Sequence, residues 1–278
     1  CQQQPQSPQR IEGIRCSSMY HCDRGSHFQF NWLASQEGAP HLQAVWPRGQ
    51  PRPLQFALLE SPPQPQQLAA AWQPAGPFKV AVTGRAGVGK SALISALTGR
   101  SPSPSWRETP GLAVHRQFWP CRLRRAATAT TAPEEPPLLC HLQFWEAGDA
   151  ASRSFEHLRN ELRLACDCVL FVFSVADRAS VAELPAVVRR TLDGGSEGAP
   201  PCGLLVATRL DQPEAQVVSR AELLQLERDC RLPLVRFSPD MPSESAWQLL
   251  TRLCECLWHR RLVLRGSIET SVPGARGK

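Results

Sequence analysis

FKVAVTGRAGVGKSALISALTGR, Phe78 to Arg100, decides the fold. Its first seven residues are β-rich and close on Gly84, while residues 90–100 carry a helical apolar pattern that Gly99 stops. Between them GRAGVGKS, residues 84–91, satisfies G-x-x-x-x-G-K-[ST] in the strand-to-helix setting that pattern requires. Gly84, Gly87 and Gly89 let the backbone turn tightly, so that successive N–H groups, with Arg85, Ala86 and Val88 in the same turn, form an anion nest at a helix N-terminus. Lys90 is placed to reach the β- and γ-phosphates of a nucleotide. The Ser91 hydroxyl is placed to take one magnesium position.

Downstream, strand and helix patterns alternate. LAVHRQFW at 112–119 reads as a strand, and PLLCHLQFW at 137–145 as its antiparallel partner. Residues 150–165 read as helical. CVLFVFSV at 168–175 and CGLLVATRL at 202–210 are continuously apolar, as parallel strands covered on both faces are. RASVAELPAVVRRTL at 178–192 is helical but interrupted by Pro185, SRAELLQLERDCRL at 219–232 is helical, and PLVRFSP at 233–239 is a last short strand. Residues 243–264 form a closing amphipathic helix with Trp247, Leu250, Leu253, Cys254 and Leu257 on one side. The alternation predicts an α/β fold, a doubly wound and mostly parallel six-stranded sheet with an N-terminal extension.

Nearly all the strong apolar runs fall between residues 78 and 265, which is enough chain for one full core. Residues 1–77 and 266–278 are rich in Gln, Pro, Gly and Ser. The expected division is a disordered or artefactual 1–30, an extension and Pro/Gln-rich linker over 31–77, the core domain over 78–265, and a disordered tail over 266–278. Trp32, Leu33, Phe56, Leu58 and Leu59 stand out in an otherwise polar extension, so NWLASQEG and FALLE are expected to dock rather than hang free. The start at Cys1 suggests a fragment or a mis-predicted first exon.

Lys and Arg number 31 against 25 Asp and Glu, a mild basic excess of +6 spread over RLRR, HRR and the GARGK tail. No aromatic-interleaved basic motif accompanies it, so nucleic acid is not an expected partner. The eleven cysteines are odd in number, and several lie inside apolar runs, as in LACDCVLFVF and RLCECLW. They read as buried thiols of a reducing, cytoplasmic setting rather than a disulfide framework. Zinc knuckles of the C-x2–4-C kind are absent from the sequence. No run has the apolar length of a membrane span, and neither a prenylatable C-terminal Cys nor an initial Met-Gly is present, so no lipid anchor is expected.

Three further motifs complete a nucleotide site. TRLD, Thr208 to Asp211, ends a buried strand, where Asp211 can accept two adjacent N–H groups of guanine that adenine does not offer. The Arg209 stem can lie along the base while its guanidinium bonds back to the phosphate loop. ETPG offers Thr109 to magnesium and the γ-phosphate, with Pro110 forcing it extended. Ser238 in FSPD falls where a loop reading guanine O6 belongs. HLQFWEAGD, residues 141–149, raises the question of hydrolysis. Counted back from Gly148 without a gap, Trp145 occupies the place of the magnesium-holding aspartate; with one deletion, Glu146 does. Asp149 stands at the usual Gln position, where a carboxylate repels the γ-phosphate and cannot orient water as an amide does.

ETPGL, FWPCRL, LQFWEAGD, VLFVFSVADRAS, ELP, LDQ and LWH, with NWLASQEG and FALLESP upstream, resemble the Rem/Rab-like small GTPases of the ciliogenesis and planar polarity effector (CPLANE) group. The similarity is scattered over about residues 31–265. It implies a Ras-like P-loop GTPase fold, GTP/GDP and Mg2+ as ligands, and the Fuzzy and Inturned subunits as partners. It also implies cilium assembly, cargo delivery to the basal body and targeted exocytosis. Two function classes stay open. One is a GTP-gated interaction module with weak hydrolysis; the other is an active hydrolase completed by a partner-supplied catalytic group.

Overall fold

The computed structural model describes residues 27–46, 72–100, 108–124, 135–149, 154–192, 199–237 and 242–266. Its centre is a six-stranded sheet in the order β2-β3-β1-β4-β5-β6, formed by β1 Gln73–Thr83, β2 Leu112–Cys121, β3 Leu138–Ala147, β4 Cys168–Ser174, β5 Cys202–Thr208 and β6 Leu234–Arg236. Only β2 runs antiparallel to its neighbour; β1, β3, β4, β5 and β6 pair in parallel. The doubly wound α/β expectation therefore holds. β4 and β5 are buried at every position, which is why they read as unbroken apolar runs rather than alternating ones.

The helices are α1 Ala39–Val45, α2 Lys90–Leu97, α3 Glu156–Arg163, α4 Arg178–Ala182, α5 Leu184–Leu192, α6 Arg220–Cys230 and α7 Pro242–Leu264. Pro185 splits the 178–192 pattern into two short helices, because it has no N–H to give to a carbonyl four residues back. α6 opens on a reciprocal cap: Ser219 Oγ accepts from the Glu222 N–H at 3.2 Å, and Glu222 Oε2 accepts from the Ser219 N–H at 2.7 Å. α7 buries Ala246, Leu249, Leu250, Leu253, Cys254 and Leu257, while Trp247 sits at the rim of that stripe, only partly buried. Among the described residues no helix is long and apolar enough to cross a membrane.

Three expected boundaries move. β1 starts at Gln73, inside the expected linker, and its ladder to β3 shifts register between Ala75 and Phe78, where Pro77 has no N–H to offer. Within the expected helix over 150–165, the described residues give Glu156–Arg163, preceded by a helical Ser154 and a break at Phe155, and among the described residues β6 covers Leu234–Arg236 of its expected seven-residue run.

The N-terminal arm packs from His27 onward, four residues before the expected boundary. Phe28 is 1% exposed and bridges Leu123, beyond the end of β2. Trp32 and Leu33 are buried, so NWLASQEG docks as its apolar residues predict, whereas FALLE at 56–60 lies outside the described residues. His27 ties the arm to α7: its N–H donates to Glu255 Oε1 at 3.0 Å, and its Nε2 lies 3.0 Å from His259 Nδ1. Val45 packs with Trp72, Phe118 and Leu139 in a small core on the outer face of β2 and β3. Trp46 stands edge-on to Trp119 and to Trp247, with ring centroids 6.1 and 6.4 Å apart.

Candidate nucleotide site

The turn from β1 into α2 holds the three glycines in conformations an L side chain rarely adopts, with φ of 154° at Gly84, 76° at Gly87 and 96° at Gly89. A Cβ on Gly84 would also lie 2.1 Å from the Val172 carbonyl oxygen, so the loop's first residue is pressed against β4. Lys90, the first residue of α2, is buried, and its Nζ donates to the Gly84 and Arg85 carbonyls at 2.9 Å each. Burial pushes its pKa down; the charges of Glu146, Asp149 and Glu108 push it back up. The Arg85 side chain turns away from this cluster to pair with Asp177 and Glu183.

Ser91, Thr109 and Glu146 meet beside Lys90. Ser91 Oγ donates to Glu146 Oε1 at 2.7 Å and lies 3.3 Å from Thr109 Oγ1. Glu146 is 2% exposed, and desolvation raises its pKa against the opposing pull of Ser91, Lys90 and Thr109. Trp145 and Glu146, the two residues that the counted alignments offer, lie on opposite sides of β3. Adjacent residues of β3 face opposite sides, so with Glu146 turned to Ser91, Trp145 faces away and lies under the Lys79 ammonium, 4.1 Å from its ring centroid. Gly148 then brings the chain against the Thr109 loop: its N–H donates to the Gly111 carbonyl at 3.1 Å, and a Cβ there would sit 2.2 Å from the Thr109 oxygen. Glu108, quoted in ETPG but given no role in the sequence reading, joins Glu146 and Asp149 as a third carboxylate acting on Lys90.

On the far side of the phosphate loop, Thr208 is buried at the end of β5. Its Oγ1 donates to the Val88 carbonyl at 2.7 Å, or to that of Phe173 at 3.0 Å, fastening the loop to the sheet. Arg209, in left-handed backbone at φ 58°, donates from NH2 to the Gly87 carbonyl at 2.7 Å, the back-bond its position predicts. Asp211 Oδ1 is a buried acceptor with no donor among the described residues. Such an oxygen is costly unless something completes it. Two adjacent N–H groups on a base edge fit that need, and a hard divalent cation fits the oxygen set of Ser91, Thr109 and Glu146. Ser238 lies outside the described residues.

Residues 79–244 match the family described as the Ras family. Ciliogenesis and planar polarity effector 2 of Xenopus laevis is 32% identical over 252 residues, 85% of this chain and 94% of that protein. The Mus musculus protein of the same name is 26% identical over 268 residues, 91% of this chain and 97% of its own length. GTP-binding protein REM 2 of Homo sapiens is 29% identical over 205 residues, 68% of this chain and 55% of that protein.

Proposed function

Because this chain belongs to the Ras family and has its P-loop GTPase fold, we propose that it is a GTP-gated interaction module of cilium assembly with weak hydrolysis of its own. The observation that carries this reading is the cluster of Ser91, Thr109 and Glu146 beside buried Lys90. In it Gly84 to Gly89 and Lys90 cradle the phosphates, and Asp211 with Arg209 selects guanine. Ser91, Thr109 and Glu146 would hold magnesium, which would supply positive charge against that of the phosphates.

Thr109 lies on a loop packed against Gly148 and so can report the γ-phosphate to both segments, the means by which such a site orders a partner-binding surface. Asp149, at the end of that segment, adds a second acidic group near Lys90 and offers no amide to orient water. Nucleotide occupancy is therefore set by exchange and by partners rather than by turnover. The ciliary role rests on relatives named for ciliogenesis and planar polarity. Fuzzy and Inturned as partners, basal-body cargo delivery and targeted exocytosis follow from the same resemblance.

The test is the nucleotide found in freshly purified protein, followed by single-turnover cleavage. The expected result is guanine nucleotide, largely triphosphate, cleaved below the roughly 10⁻⁴–10⁻³ s⁻¹ of an unaided family member. Fast unassisted cleavage that Asp149→Gln abolishes would instead make Asp149 catalytic. Equal competition by ATP overturns the guanine assignment.

A further inference from the structure

Away from the nucleotide, three cysteines from three separate elements converge in the core. Cys121 ends β2, Cys140 lies in β3 opposite Trp119, and Cys254 projects from the buried stripe of α7. All three are buried, and their sulfur atoms all lie within 4.8 Å of one another. The three thiols hydrogen-bond among themselves. A metal–sulfur bond of about 2.3 Å sets the corners of a planar sulfur triangle about 4 Å apart, so small side-chain rotations close this trio around one ion.

The geometry points to a buried three-sulfur site for a soft monovalent metal, copper(I), formed by Cys121, Cys140 and Cys254. Thiolate-only donor sets select soft ions. Structural zinc takes four protein ligands, and where it has three a water fills the fourth position; among the described residues no fourth Cys, His, Asp or Glu donor joins this group, and all three cysteines are buried in the core. Glu255, next along α7, is committed elsewhere: its two oxygens accept from the His27 N–H and from Arg252. Each thiol that ligates gives its proton to solvent as the metal binds. Occupancy would fasten α7 to the β2–β3 edge of the sheet, beside the point where the N-terminal arm grips the same helix.

The full reduced chain, refolded without oxygen in the presence of one equivalent of copper(I), should retain that equivalent against a chromophoric copper(I) chelator. X-ray absorption should then show a shell of three sulfurs. Cys140→Ser and Cys254→Ser should each weaken retention by at least the about 10–100-fold that loss of even an outer partner costs. Cys168→Ser and Cys202→Ser, equally buried on β4 and β5, should retain copper unchanged. Spectra of the natural chain keep the test valid if a variant fails to fold. No retained equivalent, nitrogen or oxygen in the shell, retention unaltered in Cys140→Ser, or a preference for zinc would each overturn the assignment.

Discussion

Burial lifts the Glu146 carboxyl above the ordinary carboxylate range, desolvation outweighing the Ser91 hydrogen bond and the Lys90 charge. A raised folded pKa means that the fold favours the neutral acid: its contribution to stability is full below the unfolded pKa and is lost as pH rises through the folded one. Without a cation at neutral pH, the ionised carboxylate is thus a liability. Glu146→Gln should melt higher than the natural chain at pH 7 in nucleotide-free, metal-free buffer, and the gap should close as pH falls into the carboxylate range. The same variant should lose magnesium-dependent GTP affinity by at least about 10–100-fold, the cost of losing even an outer-shell metal partner. A thermal melt and a magnesium titration check the two halves. Asp211 is the complementary case, a buried acceptor without a donor among the described residues. A hydrogen bond to a charged group is worth about 1.5–3 kcal/mol, so Asp211→Ala should weaken GTP by roughly 10–100-fold per bond. Asp211→Asn should turn the preference toward xanthine nucleotides in equilibrium competition.

Between residue and whole, the N-terminal arm is the element whose energetics are easiest to test. Phe28 is almost fully buried, and truncating such a side chain costs about 3–5 kcal/mol. Phe28→Ala should lower the urea midpoint accordingly, with the denaturant slope unchanged if arm and domain unfold together. Gly148→Ala should push the Thr109 loop away, because the added carbon would overlap the Thr109 oxygen; a drop in magnesium-dependent affinity with intact melting is the expected outcome. Elements of this kind were unequally legible in sequence. The strand–loop–helix around GRAGVGKS, the apolar β4 and β5, and the partly alternating β3 announce themselves through local period and glycine placement, whereas β2 is half-buried over its first five residues and buried over its last five, with no alternation. Trp72 to Pro77 do not, since β1's first residues pair with Leu138 to Cys140 across a Pro-rich stretch that no local pattern marks as strand. Phe28 likewise lies in a short HFQFN stretch that marks no element, and is buried because the end of β2 and Trp258 of α7 meet there. At the site, Lys90 and Ser91 follow from the motif alone. The Trp145-or-Glu146 ambiguity could not be broken by counting, because it turns on which face of β3 meets α2.

At the scale of the molecule, arm, sheet and α7 share one continuous apolar core, so unfolding should be a single cooperative event. A ligand that binds only the folded chain, present at a hundredfold excess over its Kd, adds about 2.7 kcal/mol. For a domain of this size that corresponds to a melting point raised by about 5–10 °C, expected with magnesium–GTP and not with magnesium–ATP. A biphasic melt whose early phase ignores nucleotide would mean instead that the arm is a separate unit. The arm also carries its own reporter. Trp46 stands near-perpendicular to Trp119 of β2 and to Trp247 of α7 at short range. Indole transitions so disposed couple as excitons, giving a paired circular-dichroism band of opposite signs that isolated tryptophans lack. Peeling the arm away would extinguish that couplet while leaving the helical signal in place. Docking of the extension can therefore be followed by light alone, without a dye, as nucleotide or partner is added, with Trp46→Phe as the blank.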